Sequence, residues 1–298
     1  MLTGLGKKQR AVRSRLSEMG LSDEEADAES RWMICQITGA SAALLPADVP
    51  FSFSEADEAR LEKILKGREE GIPLAYLLGE TEFFGRTFSV GEGVLIPRQD
   101  TEILVEEALN FLSGRPAALG LELNCRLPEV WDLCAGSGCV GLSLAAETPL
   151  IEVHLLEKEP AALAWLLKNE ARFALPNTSV HPGDLFAFDL PQSGSVDLIV
   201  SNPPYIPAGD LAGLQREVTN EPASALNGGT DGLDFYRELT GRWLTCLKPG
   251  GGLFAEIGYD QGEAVCGLFR QAGLCDVACV KDLGGRDRVV RGIMPESR

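Results

Sequence analysis

The chain has 298 residues, 45% of them hydrophobic and 24% charged, with 33 glycines and 17 prolines scattered along it. That length and balance suit one large or two ordinary domains with a real core, and exclude disordered, collagen-like and small disulfide-dependent proteins. Lys and Arg number 27 against 44 Asp and Glu, a net charge of −17 that disfavours unaided capture of a phosphate backbone, so any nucleic-acid contact would need a partner or a local patch.

Eight cysteines are an even number. In a chain this long, with Cys134, Cys139, Cys275 and Cys279 in apolar or small-residue runs, they read as reduced core thiols rather than a disulfide framework. No CxxC pair occurs and His154 and His181 are the only histidines, so no metal site is expected. The first residues, MLTGLGKKQRAVRSRL, lack an apolar signal core, and no apolar run of about 18 residues occurs, which predicts a soluble, cytoplasmic protein.

Residues 1–80 predict a helical domain. LSDEEADAESRWMICQITG opens with a capping box, Ser22 and Glu25, and carries Met33, Ile34 and Ile37 at helical spacing. SFSEADEARLEKILKGREEG predicts the next helix, capped by Ser52 or Ser54, with Leu61, Ile64 and Leu65 as its inner stripe and Gly71 beyond its end. Residues 81–100 change texture: β-branched and aromatic residues broken by Gly85, Gly91 and Gly93 predict a β-hairpin linker.

From 101 to 298 the pattern predicts a doubly wound α/β domain. The helix ILVEEALNFL is followed by short apolar runs, VWDLC, VHLLE, VDLIVS and GGLFAEI, alternating with helical segments. After the helix QGEAVCGLFRQAG come CDVACV and DRVVRGI, joined only by KDLGGR. That link is too short for a parallel crossover, so the last strand is expected to be antiparallel. A mostly parallel, Rossmann-like sheet closed by one reversed strand is similar to the class I S-adenosylmethionine-dependent methyltransferase layout, an analogy of fold alone.

Two motifs carry chemistry. In VWDLCAGSGCVGLSLA, a strand bearing Asp132 runs into a glycine turn at Gly136, Gly138 and Gly141 and then a helix. Small residues let a ligand lie against the turn and its backbone amides. Glu157, 21 residues beyond Gly136 at the end of the second strand, can accept hydrogen bonds from both ribose hydroxyls. By itself this pattern serves a dinucleotide or S-adenosylmethionine equally, or merely a tight turn with a solvated acid.

The second motif, VDLIVSNPPYIP, separates these readings. It sets Asn202, Pro203, Pro204 and Tyr205 after a strand expected to lie beside the glycine-loop strand. The prolines stiffen the backbone and remove amide donors, so the Pro203 carbonyl and the Asn202 side-chain oxygen form a pair of rigid acceptors. Such a pair can hold both hydrogens of one NH₂ group, orient its delocalised lone pair and stabilise charge developing on nitrogen. Tyr205 offers a face for a planar amide or base. A nicotinamide site has no use for this arrangement; in an arbitrary protein the same residues would be a stiff loop.

These residues resemble the release-factor glutamine methyltransferase family (HemK/PrmC) over nearly the whole chain. The shared blocks are GIPLAYLLGETEFFG, LIPRQDTE, DLCAGSGC, SNPPYIP, EPASALNGGTDGLDFYR, LKPGGGLFAEIGYDQGEAV and KDLGGRDRVVRG. The resemblance implies methyl transfer from S-adenosylmethionine to the side-chain amide nitrogen of the glutamine in the Gly-Gly-Gln motif of class I peptide chain release factors. It also implies a helical N-terminal substrate-recognition domain.

By motif, it places Cys134, Ala135, Gly136, Ser137 and Gly138 on the cofactor, Glu157 on the ribose where the family usually has Asp, and Asp184 and Leu185 near the adenine. Asn202 would serve cofactor and substrate, with Pro203, Pro204 and Tyr205 completing the glutamine pocket. Arg98 reads equally as a brace of the pocket or interdomain contact and as a surface ion pair.

The acidic balance suits a protein partner with a basic patch, with charge steering the encounter, or merely keeps the chain soluble. The same chemistry on a ribosomal-protein glutamine, or on an adenine or guanine amino group, is the nearest alternative, and a non-catalytic cofactor-binding module the more distant one. Charge and the lack of an added base-reading domain weigh against DNA.

Overall fold

The computed structural model describes residues 2–114, 126–215 and 217–296. They form two compact units: Met1–Gly79 with Arg216–Asn220, and Glu80–Gln215 with Glu221–Arg298.

The first unit contains β1 (Leu2–Gly4), α1 (Leu5–Glu18), α2 (Asp23–Thr38), β2 (Pro50–Ser52), α3 (Glu55–Glu69) and α4 (Leu74–Leu78). Helix α2 starts with the Ser22–Glu25 capping box, and α3 with a second box in which Ser54, not Ser52, pairs with Asp57. Each box satisfies amides that the first helical turn leaves open. Val12, Leu16, Met33, Ile34, Leu61, Ile64 and Leu65 meet in the core. The β1–β2 ribbon was not expected, because three-residue strands carry too little alternation to read.

Among the described residues of this unit, one cation is buried. Arg68 has a side chain only 1% exposed; its guanidinium donates to both carboxylate oxygens of Glu29, at 2.8 and 2.7 Å, to the Ile72 carbonyl at 2.8 Å and to Glu217 at 2.7 Å. A buried guanidinium is tolerable only with its donors filled in this way.

The second unit opens with a hairpin, β3 (Glu80–Phe83) and β4 (Arg86–Ser89), paired Phe83 to Arg86. Its two-residue turn has φ of 48° at Phe84 and 68° at Gly85, the type I′ geometry that matches strand twist. The hairpin is thus half as long as the sequence suggested; residues 90–98 leave it as a loop. There follow α5 (Glu102–Ser113), β5 (Glu129–Leu133), α6 (Cys139–Glu147), β6 (Glu152–Glu157), α7 (Pro160–Phe173), β7 (Thr178–Pro182) and β8 (Val196–Ser201). The chain ends with α8 (Asp234–Thr240), β9 (Leu247–Glu256), α9 (Gly262–Gln271), β10 (Cys275–Lys281) and β11 (Asp287–Ile293).

Seven strands form one sheet in the order β10-β11-β9-β8-β5-β6-β7. Strands β9, β8, β5, β6 and β7 are parallel, while β11 is antiparallel to β9 and to β10. The reversal therefore lies where the short KDLGGR link required it. Successive residues of the central strands enter opposite cores. Val130, Leu198 and Val200 meet Leu104, Leu142 and Leu166 on one face. Trp131, Leu133 and Ile199 meet Tyr236, Trp243 and Phe269 on the other. Strands buried on both faces read as continuous apolar runs. Strand β7 was not expected: it is an edge strand that begins with the polar pair Thr178 and Ser179 and is largely half-buried.

Gly138 caps α6 with φ 82°, and a Cβ there would lie 2.4 Å from Leu166 Cδ1 and 2.9 Å from Leu142 Cδ1. Gly138→Ala is expected to destabilise the fold by about 2–4 kcal/mol, from left-handed backbone strain plus overpacking. Gly194→Ala, also at positive φ but with nothing within 4 Å, should cost only about 1–2 kcal/mol. Denaturant unfolding of both variants measures the packing part; equal losses would remove it.

Candidate active site

The carboxyl ends of β5 and β8 are adjacent, with Leu133 paired to Ser201. The Ser201 hydroxyl donates to the Leu133 carbonyl at 2.6 Å. The chain leaves β5 through a tight turn in which Cys134, Gly136 and Gly138 have φ of 64°, 56° and 82°. A left-handed non-glycine residue such as Cys134 carries strain of about 1–2 kcal/mol. Above this edge lies a cleft of about 370 Å³, wholly within the second unit.

Cys134, Ala135, Gly136 and Ser137 line the cleft. A Cβ at Gly136 would have only Val94 Cγ2, at 4.0 Å, as a neighbour, so it would project into open space. Gly138 faces the core instead, so its glycine serves helix packing and not access to the cleft. Asn169, fully buried on α7, donates to the Ser137 carbonyl at 2.9 Å and the Ser89 carbonyl at 3.0 Å, and accepts from the Ser89 amide at 2.7 Å. This one amide fastens the glycine turn to β4, a role invisible from sequence because its partners are 32 and 80 residues away.

Glu157 ends β6 at the cleft. Its carboxylate accepts from the Gly136 amide at 2.8 Å and the Glu159 amide at 2.7 Å. Burial raises its pKa, while the Glu159, Gly136 and Lys158 amides oppose the rise. Asp184 and Leu185 also line the cleft. Asp184 accepts from the Phe186 amide at 3.0 Å and pairs with Lys158 at 3.1 Å. Phe186, one residue beyond the expected Leu185, joins the lining and meets Phe235 edge-on at a centroid distance of 5.1 Å. These rings give the cleft the flat apolar wall that Leu185 alone could not.

Asn202 and Pro204 line the same cleft. Asn202 Nδ2 donates to Thr101 Oγ1 at 3.2 Å, which turns its side-chain oxygen away from that contact. Pro203 is buried, and among the described residues no donor reaches its carbonyl. Tyr205 is not brought into the cleft: it borders a neighbouring depression with Arg98, Asp100, Glu256 and Arg288. Burial pushes its phenol up to about 12, and its carbonyl accepts from Gln261 Nε2 at 3.0 Å. Packing after the second proline thus carries the ring away from the position expected for a stacking platform.

Arg98 pairs with Glu221, whose side chain is only 2% exposed. Glu221 also accepts from the Ile96 amide at 3.2 Å. The pair ties the loop after the hairpin to the Pro222–Ala225 stretch, and both line the cleft. Arg98 is therefore a brace of the pocket wall.

Asp132, fully buried in β5, is a further cleft residue that sequence reading noted without assigning it a role. It accepts from the Gly141 amide at 2.8 Å. Burial drives its pKa from 3.8 up to about 7, against the pull of that hydrogen bond and with a push from the Glu157 charge. Between those two values the folded protein holds a proton that the unfolded chain has lost, so this group's contribution to stability falls as pH rises across the window. Asp132→Asn should flatten that decline, raising ligand-free stability by a few kcal/mol at mildly alkaline pH. Unfolding curves taken across the window measure it; an unchanged slope would contradict the assignment.

The residues fit an adenosyl group carrying a positive charge: a carboxylate for a ribose diol, an apolar wall for a base, a turn open at Gly136, and a buried acid at Asp132. Among the described residues no cluster of three or more His, Cys, Asp or Glu could hold a metal.

Comparison with known proteins agrees with this chemistry. Residues 9–79 match the family described as PrmC N-terminal domain, and residues 120–229 that described as Methyltransferase small domain. The release factor glutamine methyltransferase of Geobacter sulfurreducens is 38% identical over 94% of this chain and 93% of its own length. That of Caulobacter vibrioides is 36% identical over 98% and 97%. Among solved structures, the hMettl16 catalytic domain with a MAT2A 3′UTR hairpin shares the fold, with TM-score 0.52 and 14% identity over 83% of this chain and 84% of that one. With such relatives along nearly its whole length, the chain belongs to the release factor glutamine methyltransferase family and is an S-adenosylmethionine-dependent methyltransferase.

Proposed function

We propose that this enzyme methylates the side-chain amide nitrogen of the glutamine in the Gly-Gly-Gln motif of class I peptide chain release factors. The observation that carries the reading is the setting of Asn202: its NH₂ is spent on Thr101 at 3.2 Å, which leaves its oxygen as an acceptor at the cleft. S-adenosylmethionine, when bound, supplies an electrophilic methyl group on a sulfonium.

The protein supplies the rest. Asn202 Oδ1 and the Pro203 carbonyl accept the two hydrogens of the target carboxamide, holding its plane fixed. Positive charge on nitrogen strengthens both hydrogen bonds, so they stabilise the transition state more than the ground state. Glu157, held by backbone amides, receives the ribose hydroxyls. Gly136 and Ser137 admit the cofactor to the turn, and Leu185 with Phe186 flanks the base.

The helical unit, 1–80 by the sequence boundary, is assigned to recognising the remainder of the release factor. The net charge of −17 favours a protein substrate over nucleic acid. Seven cysteines of the described residues are free thiols, which suits the reducing cytoplasm.

Mass spectrometry of a release factor incubated with the enzyme and labelled S-adenosylmethionine tests the proposal. One labelled methyl group on the Gly-Gly-Gln glutamine is expected; label confined to a ribosomal protein or to nucleic acid would replace it with the corresponding alternative. Asn202→Ala should lower the rate about 10²-fold to 10³-fold. Glu157→Gln should weaken S-adenosylmethionine binding about 10-fold to 100-fold, as for a lost charged hydrogen bond, and calorimetry showing undiminished affinity would remove the ribose assignment.

A further inference from the structure

The stretch of cleft wall that carries Leu185 and Phe186 belongs to no strand and no long helix. After β7 the chain makes one helical turn, in which the Ala187 and Phe188 amides donate to the Asp184 carbonyl at 2.9 and 2.7 Å. As at any helix C-terminus, the carbonyls that follow have no amide ahead of them. Among the described residues no backbone amide reaches the carbonyls of Leu185, Phe186 or Phe188. A single turn is too short to hold its own shape in water, so other groups must supply it.

Two neighbouring side chains fill these carbonyls. Arg242, in the link between α8 and β9, donates from Nη1 to the Phe186 carbonyl at 2.7 Å and the Leu185 carbonyl at 3.3 Å, and from Nη2 to the Phe188 carbonyl. The fully buried Trp243 donates its indole N–H to the Leu185 carbonyl at 3.0 Å. Glu238, one turn earlier on α8, accepts from Arg242 Nη1 at 3.0 Å and so fixes the guanidinium itself. The rings are held from the same side of the fold: Trp243 lies within 12° of parallel to Phe188, and Phe235 of α8 meets Phe186 edge-on.

A guanidinium presents its donors in a planar, fixed fork, so one side chain can bridge several carbonyls and set their spacing; an ammonium is a single point of charge and cannot. We infer that Arg242 is a positioning residue for the cofactor: from outside the cleft lining, it preforms the wall against which the base of S-adenosylmethionine lies. The inference rests on the reading that Leu185 and Phe186 flank the base, and adds the group that shapes them before the ligand arrives. A wall formed in only a fraction of molecules lowers the apparent affinity by that fraction.

The test compares Arg242→Met, which keeps an aliphatic stem without the fork, with Arg242→Lys and Phe186→Ala. Calorimetry gives the Kd for S-adenosylmethionine and S-adenosylhomocysteine, which share the base, and turnover gives kcat and the KM for each substrate. With the wall formed about one tenth of the time in Arg242→Met, both Kd values and the KM for S-adenosylmethionine rise about 10-fold. At saturating cofactor kcat stays near that of the wild type, as does the KM for the release factor. Arg242→Lys should recover only part of the loss. A merely structural role would lower kcat through the folded fraction and leave both Kd values unmoved.

Unchanged Kd values in Arg242→Met beside weakened ones in Phe186→Ala would overturn the positioning role and leave the base wall standing; unchanged values in Phe186→Ala would overturn the base wall, and the inference with it. If Arg242→Met does not fold, hydrogen exchange in the cofactor-free wild type decides. Protected Ala187 and Phe188 amides are expected of a preformed wall, and exchange as fast as in an open loop overturns the inference.

Discussion

The catalytic geometry depends on how the carboxyl ends of two parallel strands are held together. Strands β5 and β8 pair through Leu133 and Ser201, and the Ser201 hydroxyl closes the pair on the Leu133 carbonyl at 2.6 Å. One strand then opens into the glycine turn and the other into Asn202-Pro203-Pro204. The wall of the cleft proposed for the cofactor and the wall proposed for the substrate are thus fixed relative to one another by one hydrogen-bonded register. A slip of one residue would turn Trp131 and Ile199 into the opposite core. Register is therefore secured by both apolar faces of the sheet as well as by the serine.

The same edge concentrates unfavourable groups. Asp132, Glu157 and Glu256 are all buried and all raised in pKa by that burial, while Cys134 holds a left-handed backbone next to Asp132. Acids kept partly against ionisation are costly to a ligand-free fold, but they suit a site whose ligand carries positive charge. A sulfonium and an ammonium in the cleft would favour the charged forms of Asp132 and Glu157 and be bound by them in return. The double apolar core supplies the stability that permits such an edge, as expected where function conflicts with local preference.

Sequence carried those features whose cause is local. The glycine turn, the strand-end acid Glu157, the stiff Asn-Pro-Pro run, the capping boxes and the reversed last strand each follow from residues close together in the chain. Features made by tertiary contact were out of reach. Asn169 fastens the glycine turn from 32 residues away, Glu221 meets Arg98 across 123, and Thr101 meets Asn202 across 101. Gly136 and Gly138 show the limit most directly. They are equivalent in the motif, yet one borders the cleft and the other fills a space between Leu142 and Leu166. Tyr205 follows the same rule: adjacency to Pro204 did not reveal that its ring points to another depression.

The groups around Asn202 also bear on where the proton of the methylated nitrogen goes. Thr101 and Pro204 cannot take it, and the Tyr205 phenol, pushed up to about 12, remains protonated at neutral pH. A mechanism that removed the amide proton first would need a base in contact with the carboxamide, and the two oxygens proposed to hold it are an amide and a peptide carbonyl, both far too weak. They can instead stabilise the nitrogen after it has become cationic, when its proton is acidic enough to pass to water. Rigid neutral acceptors are therefore sufficient, and their orientation, more than their basicity, is what the surrounding fold has to secure.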